Sequence, residues 1–333
     1  MQSFQDYPNV TLTQLSYAVA IARLQHFGIA ARACHVTQPT LSMQIQKLEE
    51  TLGVVLFDRT KKPVMVTDIG RSIIDQAGIV LREMQRIADM VSAARNEVVG
   101  EFRLGIIPTL APYLLPRFLD RFTTRYPGVH LFVNELQTDL ILNQLQMGSL
   151  DAGLLATPVH NRNLIERPLF YESFLVYLAH NHPLSDQEAI RQEGLRREDI
   201  WLLAEGHCLR NQVLNLCGAD ASVPARSVRF DSGSLETLMR LIDNGAGYTV
   251  IPFLAADQIT ETDRKERLRP FTGAPPMREI SLVFSRTFLK GAIIKALQEV
   301  IRSSVPAALL EKPDTDRILS IKPGKSESGE RRD

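Results

Sequence analysis

Apolar positions in the first sixty residues recur at helical spacing in short stretches broken by turns. Leu12, Leu15, Val19 and Ala22 lie three and four apart, and Thr11 or Thr13 can cap the helix they predict. A turn at His26-Phe27-Gly28 leads to a second, small-residue helix from Ile29 to Cys34, which His35-Val36 breaks. Thr37 then caps a third helix running to about Leu52, with Pro39 tolerated in its first turn and Gly53 as its stop. Leu41, Ile45 and Leu48 form that helix's inward face, leaving Thr37, Gln38, Thr40, Ser42, Gln44, Gln46 and Lys47 outside. The stretch from Phe57 through Arg59, Lys61 and Lys62 to Pro63 predicts a β-hairpin.

Next comes a single long amphipathic stretch from Thr67 to about Glu97. Its apolar positions, Ile69, Ile73, Ala77, Val80, Met84, Ile87, Val91 and Ala94, form one stripe. A stripe this long predicts burial against a second copy, with Ile73, Ala77, Val80, Met84 and Ile87 at the seam. From Gly100 to about Pro306 short apolar runs alternate with helical segments. The runs are Phe102–Ile107, Val129–Val133, Ala152–Leu155, Phe174–Leu178 and Tyr248–Ile251; the helices are Pro116–Arg125, Leu140–Met147, Leu235–Asn244 and Lys290–Arg302. That alternation predicts an α/β sheet domain long enough for two lobes. The polar, aperiodic stretch from Glu311 to Asp333 is expected to be disordered. Four regions follow: residues 1–66, 67–98, 99–310 and 311–333.

The 333 residues supply apolar material for two or three domains. Basic and acidic residues balance at 38 each, which excludes a polybasic coat but not a local basic patch. No run of about 18 apolar residues suggests a membrane span, and the start from Met1 to Asp6 lacks a secretory pattern. Three cysteines, Cys34, Cys208 and Cys217, argue against a disulfide-stapled secreted scaffold, so an intracellular, cytoplasmic protein is expected. His207, Cys208 and Cys217 offer metal-ligand types, but not at a common finger spacing. No metal or other cofactor is expected.

The three N-terminal helices and the hairpin read as a winged helix-turn-helix whose third helix can enter a major groove. Up to Val66 six cations face four anions, a modest excess that needs clustering and dimerisation to hold DNA. The candidate contacts are Arg32, Thr37, Gln38, Pro39, Thr40, Ser42, Gln44 and Lys47, with Arg59, Lys61 and Lys62 on the wing. The run Ala30-Ala31-Arg32-Ala33-Cys34-His35-Val36-Thr37-Gln38-Pro39-Thr40-Leu41-Ser42 carries a family resemblance. With Leu56-Phe57-Asp58-Arg59, Thr67-Asp68-Ile69-Gly70, His182-Pro183-Leu184 and the run from Gly245 to Pro252, it resembles the LysR-type transcriptional regulators. The resemblance implies a winged helix-turn-helix, a dimerising linker helix and a two-lobed, periplasmic-binding-protein-like effector domain, assembled as a tetramer. It also implies promoter DNA as partner, RNA polymerase beyond it, and no enzymatic activity.

A second set of runs is similar to the peroxide-sensing branch of that family. These are Glu205 to Cys217, Ile107 to Pro116 and Asn134-Glu135-Leu136-Gln137-Thr138. The likeness implies Cys208 as the thiol that peroxide oxidises and Cys217 as the resolving thiol. It implies Thr109, Thr138 and His207 as pocket polar groups, Arg210 and Arg286 as supporting cations, antioxidant genes as targets and a thiol reductant as resetting partner. Asn211 departs from the branch, which commonly carries an acidic residue there.

The residues support the implication chemically. A thiolate reacts with peroxide and a thiol hardly does, so His207 and Arg210, flanking Cys208, are expected to lower its pKa. A sulfenic acid then condenses with a second thiol. Leu209, Val213 and Leu216 recur at helical spacing, predicting at least partial helix between the cysteines. Two other functions stay open: a LysR-type regulator binding a small organic metabolite between the lobes, with incidental cysteines, and a thiol peroxidase.

Overall fold

The computed structural model describes residues 9–95, 97–195, 199–217, 232–245, 247–286 and 290–321. The chain forms two compact units, dividing between Val91 and Ser92.

In the first unit, α1 (Leu12–Leu24) begins at a capping box in which Thr11 Oγ1 accepts from the Gln14 amide and Gln14 Oε1 accepts from the Thr11 amide. α2 (Phe27–Ala33) is capped by His26, and α3 (Gln38–Leu52) starts at Thr37 and ends at Gly53 in a left-handed conformation. Ala18, Ile21, Ala30, Ala31, Leu41, Ile45, Leu48, Leu56 and Phe57 make one core. β1 (Phe57–Asp58) pairs antiparallel with β2 (Met65–Val66) as the wing. Glu49 pins the wing to α3. Its carboxylate accepts from the Leu56 amide at 2.7 Å, the Phe57 amide at 3.3 Å and Arg59 at 2.8 Å.

α4 (Asp68–Ala94) is the long helix. Its apolar stripe divides in two, which corrects the single seam read from the sequence. Ile73 packs against the N-terminal core and Ala77 is buried, whereas Val80, Met84 and Ile87 stay exposed at 38%, 52% and 66%. Periodicity locates an apolar face but does not say which of its turns the chain covers itself.

The second unit is a mixed sheet flanked by helices. In chain order its elements begin β3 (Gly100–Ile106), α5 (Ala111–Arg125), β4 (Val129–Glu135), α6 (Thr138–Gln146), β5 (Ala152–Thr157) and β6 (Leu164–Leu178). There follow α7 (Cys208–Leu216), α8 (Leu235–Asp243), β7 (Tyr248–Pro252), α9 (Phe253–Ala256), α10 (Glu261–Arg267), β8 (Leu268–Arg269), β9 (Met277–Ser285) and α11 (Gly291–Arg302). The strand order is β4-β3-β5-β9-β6-β7, with β8 on β6. β9 pairs antiparallel along its whole length with Leu164–Ser173 of β6, with β3, β4 and β5 beyond β9 and β7 and β8 on β6. That shared ribbon joins two lobes. The sequence pattern yields only the end of β6 and none of β9, because Glu166, Arg167, Pro168, Arg278 and Glu279 interrupt the apolar runs.

A second correction concerns residue 311 onward. Thr315–Arg317 forms a 3-10 turn, Ile318 bridges Met277, and Ile321 is buried in the main core. The polar composition hid those two isoleucines; the expectation for residues 322–333 lies outside the described residues. Among the described residues no helix is long and apolar enough to cross a membrane.

Candidate functional site

Two sites were expected, and the structure treats their polar residues in opposite ways. On the first unit Arg32, Thr37, Gln38, Pro39, Thr40, Lys47, Arg59, Lys61 and Lys62 are exposed. Gln38 and Thr40 stand on the opening turn of α3, where Thr37 Oγ1 caps the Thr40 amide at 3.4 Å. Two expected contacts are engaged within the unit. Gln44 is half-buried and accepts from Gln14 at 3.3 Å, while half-buried Ser42 accepts from Arg59 at 3.3 Å. Arg59 is itself placed by Glu49 and lies over the Phe27 ring at 5.1 Å.

The second site lies where α7 begins. Cys208 is its first residue, and the sulfur is buried. Three peptide segments meet there. The turn into α7 contains Gly206 at φ +90, and a Cβ at that position would stand 2.7 Å from Gln137 Oε1, so glycine suits both backbone and neighbour. Gln137, ahead of α6, donates through Nε2 to the Glu205 carbonyl at 3.4 Å and to His207 Nε2 at 3.3 Å. Thr138 follows it, with a buried Oγ1 that has no hydrogen-bond partner among the described residues. Its hydroxyl favours the charged form of the Cys208 thiol.

The third segment supplies the cation. Arg278, fully buried on β9, sits opposite Glu172 of β6 and bonds its Oε1 at 2.9 Å through Nε. Its remaining nitrogens reach Thr109 Oγ1 at 3.1 Å and the Thr109 carbonyl at 3.2 Å. Glu172 Oε2 accepts the Leu254 amide at 2.9 Å, so both halves of this buried ion pair have further partners.

Burial is the largest influence on the Cys208 thiol and pushes its pKa up. The Arg278 charge, the Thr138 hydroxyl and backbone hydrogen bonds at Leu209 and Ala156 pull the other way. This corrects two expectations. Burial favours the protonated thiol, and the charge that opposes it comes from Arg278 rather than from His207 or Arg210. Burial pushes the His207 imidazole toward its neutral form. Arg210 spends its guanidinium on the Leu203 carbonyl at 2.8 Å. Arg286 lies just past the end of β9, eight residues and about 26 Å at strand rise from Arg278, and donates to the Arg162 carbonyl at 2.6 Å. Arg278 and Gln137 were missed because their role depends on cross-chain placement; Gln137's adjacency to Thr138 was the only local signal.

Cys217 terminates α7 and is half-buried; none of Cys34, Cys208 and Cys217 is in a disulfide. Leu209, Val213 and Leu216 are buried along the helix between the latter pair, as their spacing predicts. Nine helical steps place the two cysteines about 13 Å apart along the axis. A disulfide needs Cα atoms within about 4.4–6.8 Å.

Residues 12–71 match the family described as bacterial regulatory helix-turn-helix protein, lysR family, and residues 95–306 match the LysR substrate binding domain. The chain is 37% identical over 276 residues to a hydrogen peroxide-inducible genes activator of Haemophilus influenzae, covering 83% of this chain and 90% of the relative. It is 37% identical over 297 residues to the DNA-binding transcriptional dual regulator OxyR of Escherichia coli, covering 88% and 95%. Among solved structures it resembles a full-length cysteine-to-aspartate variant of OxyR from Pseudomonas aeruginosa, with TM-score 0.70, 34% identity and coverage of 89% and 99%. A cysteine-to-serine variant of OxyR from Corynebacterium glutamicum, bound to hydrogen peroxide, matches with TM-score 0.60, 30% identity and coverage of 90% and 94%.

Proposed function

Since the chain belongs to the LysR family of DNA-binding transcriptional regulators, and within it to the OxyR-like hydrogen-peroxide-inducible activators, we propose that it senses peroxide through Cys208 and Cys217. The observation that carries this reading is the placement of two unbridged cysteines at opposite ends of one nine-residue helix, the first buried with the Arg278 charge and the Thr138 hydroxyl acting on its sulfur. Thr138 Oγ1 and Thr109 Oγ1 are the groups suited to hold peroxide oxygens, and Gln137 fixes the His207 turn.

The chemistry balances in two steps. As the Cys208 thiol gives up its proton, its sulfur attacks one peroxide oxygen; the O–O bond breaks, an S–O bond forms, and the departing oxygen takes up that proton and leaves as water. The resulting sulfenic acid is attacked by the Cys217 thiol, forming the disulfide and releasing a second water. Neither regular helix nor extended chain brings the cysteines within bonding distance, so α7 must unwind and withdraw Leu209, Val213 and Leu216 from the core. The effector surface then differs between states, which is the signal. A cellular thiol reductant returns the disulfide to two thiols.

Assembly follows from α4, whose exposed Val80, Met84 and Ile87 suit burial against a second copy, with effector domains pairing dimers into a tetramer. The working context is a cytoplasmic promoter complex that engages RNA polymerase at antioxidant genes. Gln38 reads a base edge, and Arg59, Lys61 and Lys62 hold phosphate. Gln38→Ala should therefore cost about 1–3 kcal/mol on the specific site and little on random DNA.

The test is a promoter footprint of reduced and peroxide-treated protein, with cysteine pairing mapped by mass spectrometry in the same samples. A changed footprint accompanied by a Cys208–Cys217 linkage supports the reading. A footprint that changes while both thiols remain free defeats it.

A further inference from the structure

The face of α7 that carries the reactive cysteine is tied to a piece of backbone from a distant part of the chain. Positions 208, 211, 212 and 215 fall at i, i+3, i+4 and i+7, one side of the helix. From that side Asn211 Nδ2 donates to the Ile321 carbonyl at 3.0 Å, Gln212 Nε2 to the Leu319 carbonyl at 3.3 Å, and Asn215 Nδ2 to the Ser320 carbonyl at 3.1 Å. Three consecutive carbonyls are thus met by three amide side chains, and only helix brings positions 211, 212 and 215 together. Asn211, where the related branch commonly has an acid that could not donate, is one of the three.

The other end of this segment is fastened to β9. Ile318 bridges Met277, the Leu319 amide donates to the Met277 carbonyl at 2.9 Å, and Arg317 Nε reaches the Pro275 carbonyl at 3.2 Å. Ile321 is buried in the core. The anchor at Met277 is one residue from Arg278, so the segment links the helix of the thiol to the strand of its cation.

We propose that Ile318–Ile321 is a strap that holds α7 in its helical, reduced form and is released when the disulfide forms. The inference rests on the pairing of Cys208 with Cys217 proposed above. Unwinding α7 destroys the spacing of its three donors, so the strap's bonds to α7 exist in one state only. Contacts confined to one state stabilise that state and shift the equilibrium toward it. The strap therefore raises the oxidising strength needed to turn the switch, where oxidised dithiol plus two protein thiols give reduced dithiol plus the protein disulfide.

Hydrogen exchange of the full chain, reduced and after equilibration with oxidised dithiothreitol, tests this directly, with alkylation and mass mapping to report the cysteines. Held by α7 on one side and β9 on the other, the strap lifts from both once α7 lets go, so the Leu319 amide, bonded to the Met277 carbonyl in the reduced form, should exchange at least about tenfold faster in the disulfide form. A chain ending at Asp316, and separately Asn211→Ala with Asn215→Ala, should favour the disulfide by about tenfold in equilibrium constant, about 30 mV for this two-electron couple. Should the shortened chain misfold, the exchange comparison on the unaltered chain decides. A mapped Cys208–Cys217 disulfide with Leu319 protection unchanged overturns the strap and leaves the peroxide reading standing. Full oxidation without that disulfide overturns the peroxide reading and the coupling with it.

Discussion

α3 and α7 each carry functional polar residues on a short helix, and they are built for opposite purposes. α3 runs fifteen residues with a threonine side chain capping its start, a left-handed glycine closing its end, and Leu41, Ile45 and Leu48 in the core. α7 runs nine residues, has no side-chain cap at His207, and has Cys217 at its C-cap. Much of what keeps α7 helical comes from outside it: the Gln137 contact at its entry and the amide bonds to Leu319–Ile321 along its side. A helix that presents side chains to DNA gains from holding one shape through local signals. The proposed surrender of α7 to a disulfide is served by its resting on contacts that a single chemical event can break.

The largest effect that could break this contrast is chemical. Cys208→Ser should abolish any peroxide-dependent change in DNA binding while leaving α3 and basal DNA binding intact. Cys217→Ser should leave a sulfenic acid at Cys208 that a dimedone-type probe traps, with no intramolecular disulfide. Retention of the full peroxide response by Cys208→Ser would make α7 as static as α3.

Next in size is the buried pair beside the thiol. Arg278→Ala leaves Glu172 charged and unpaired in the core, and should cost about 3–5 kcal/mol in chemical denaturation. Replacing both, Arg278→Leu with Glu172→Leu, should restore most of that stability but not the rate of Cys208 oxidation. A double variant that reacts with peroxide at the original rate would show that Arg278 acts only as packing.

How far each helix could be read from the sequence follows the same division. The signals that fix α3 are local: Thr37, Pro39, Gly53 and an apolar repeat within fifteen residues. Its limits and inward face were legible, and only the engagement of Ser42 and Gln44 by neighbouring side chains was not. The span of α7 was legible from Leu209, Val213 and Leu216, but its surroundings were not. Arg278 is 70 residues away in the chain, on a strand that charged residues hid, and the strap lies in a stretch whose polar composition masked Ile318 and Ile321. The flanking cations Arg210 and Arg286 were natural choices by proximity or likeness, yet backbone carbonyls elsewhere claim both.

A smaller test concerns the caps. Thr37→Ala removes the bond to the Thr40 amide and should cost about 1 kcal/mol in the DNA-binding unit, seen as a lower thermal midpoint for that transition. The equivalent position of α7 has no side-chain cap to lose. His207→Ala should thus act only through its contact with Gln137, altering peroxide reactivity more than stability. Equal stability losses at the two positions would erase the difference in helix initiation.

The smallest expected effect is one of pH, and it separates the helices without a mutation. Burial lowers the His207 pKa, so the folded state favours neutral imidazole. A group whose folded pKa is depressed stabilises the fold above its unfolded pKa, about 6.5 for histidine, and loses that contribution as pH falls through the lower folded value. Geometry gives the same sign. Gln137 Nε2 donates to His207 Nε2, and protonation would set two donors face to face. The turn into α7 should therefore loosen as pH falls from 7 toward 5.5. α3 and the wing contain no histidine, so their local stability should stay level over that window. Hydrogen exchange of reduced protein, corrected for the intrinsic pH dependence of exchange, should show Leu209 and Arg210 losing protection while Leu48 and Glu49 keep theirs. Parallel loss in both helices would mean that acid destabilises the chain globally. Loss confined to α7, abolished by His207→Gln, would place the effect on this one imidazole and on the contact that starts the helix.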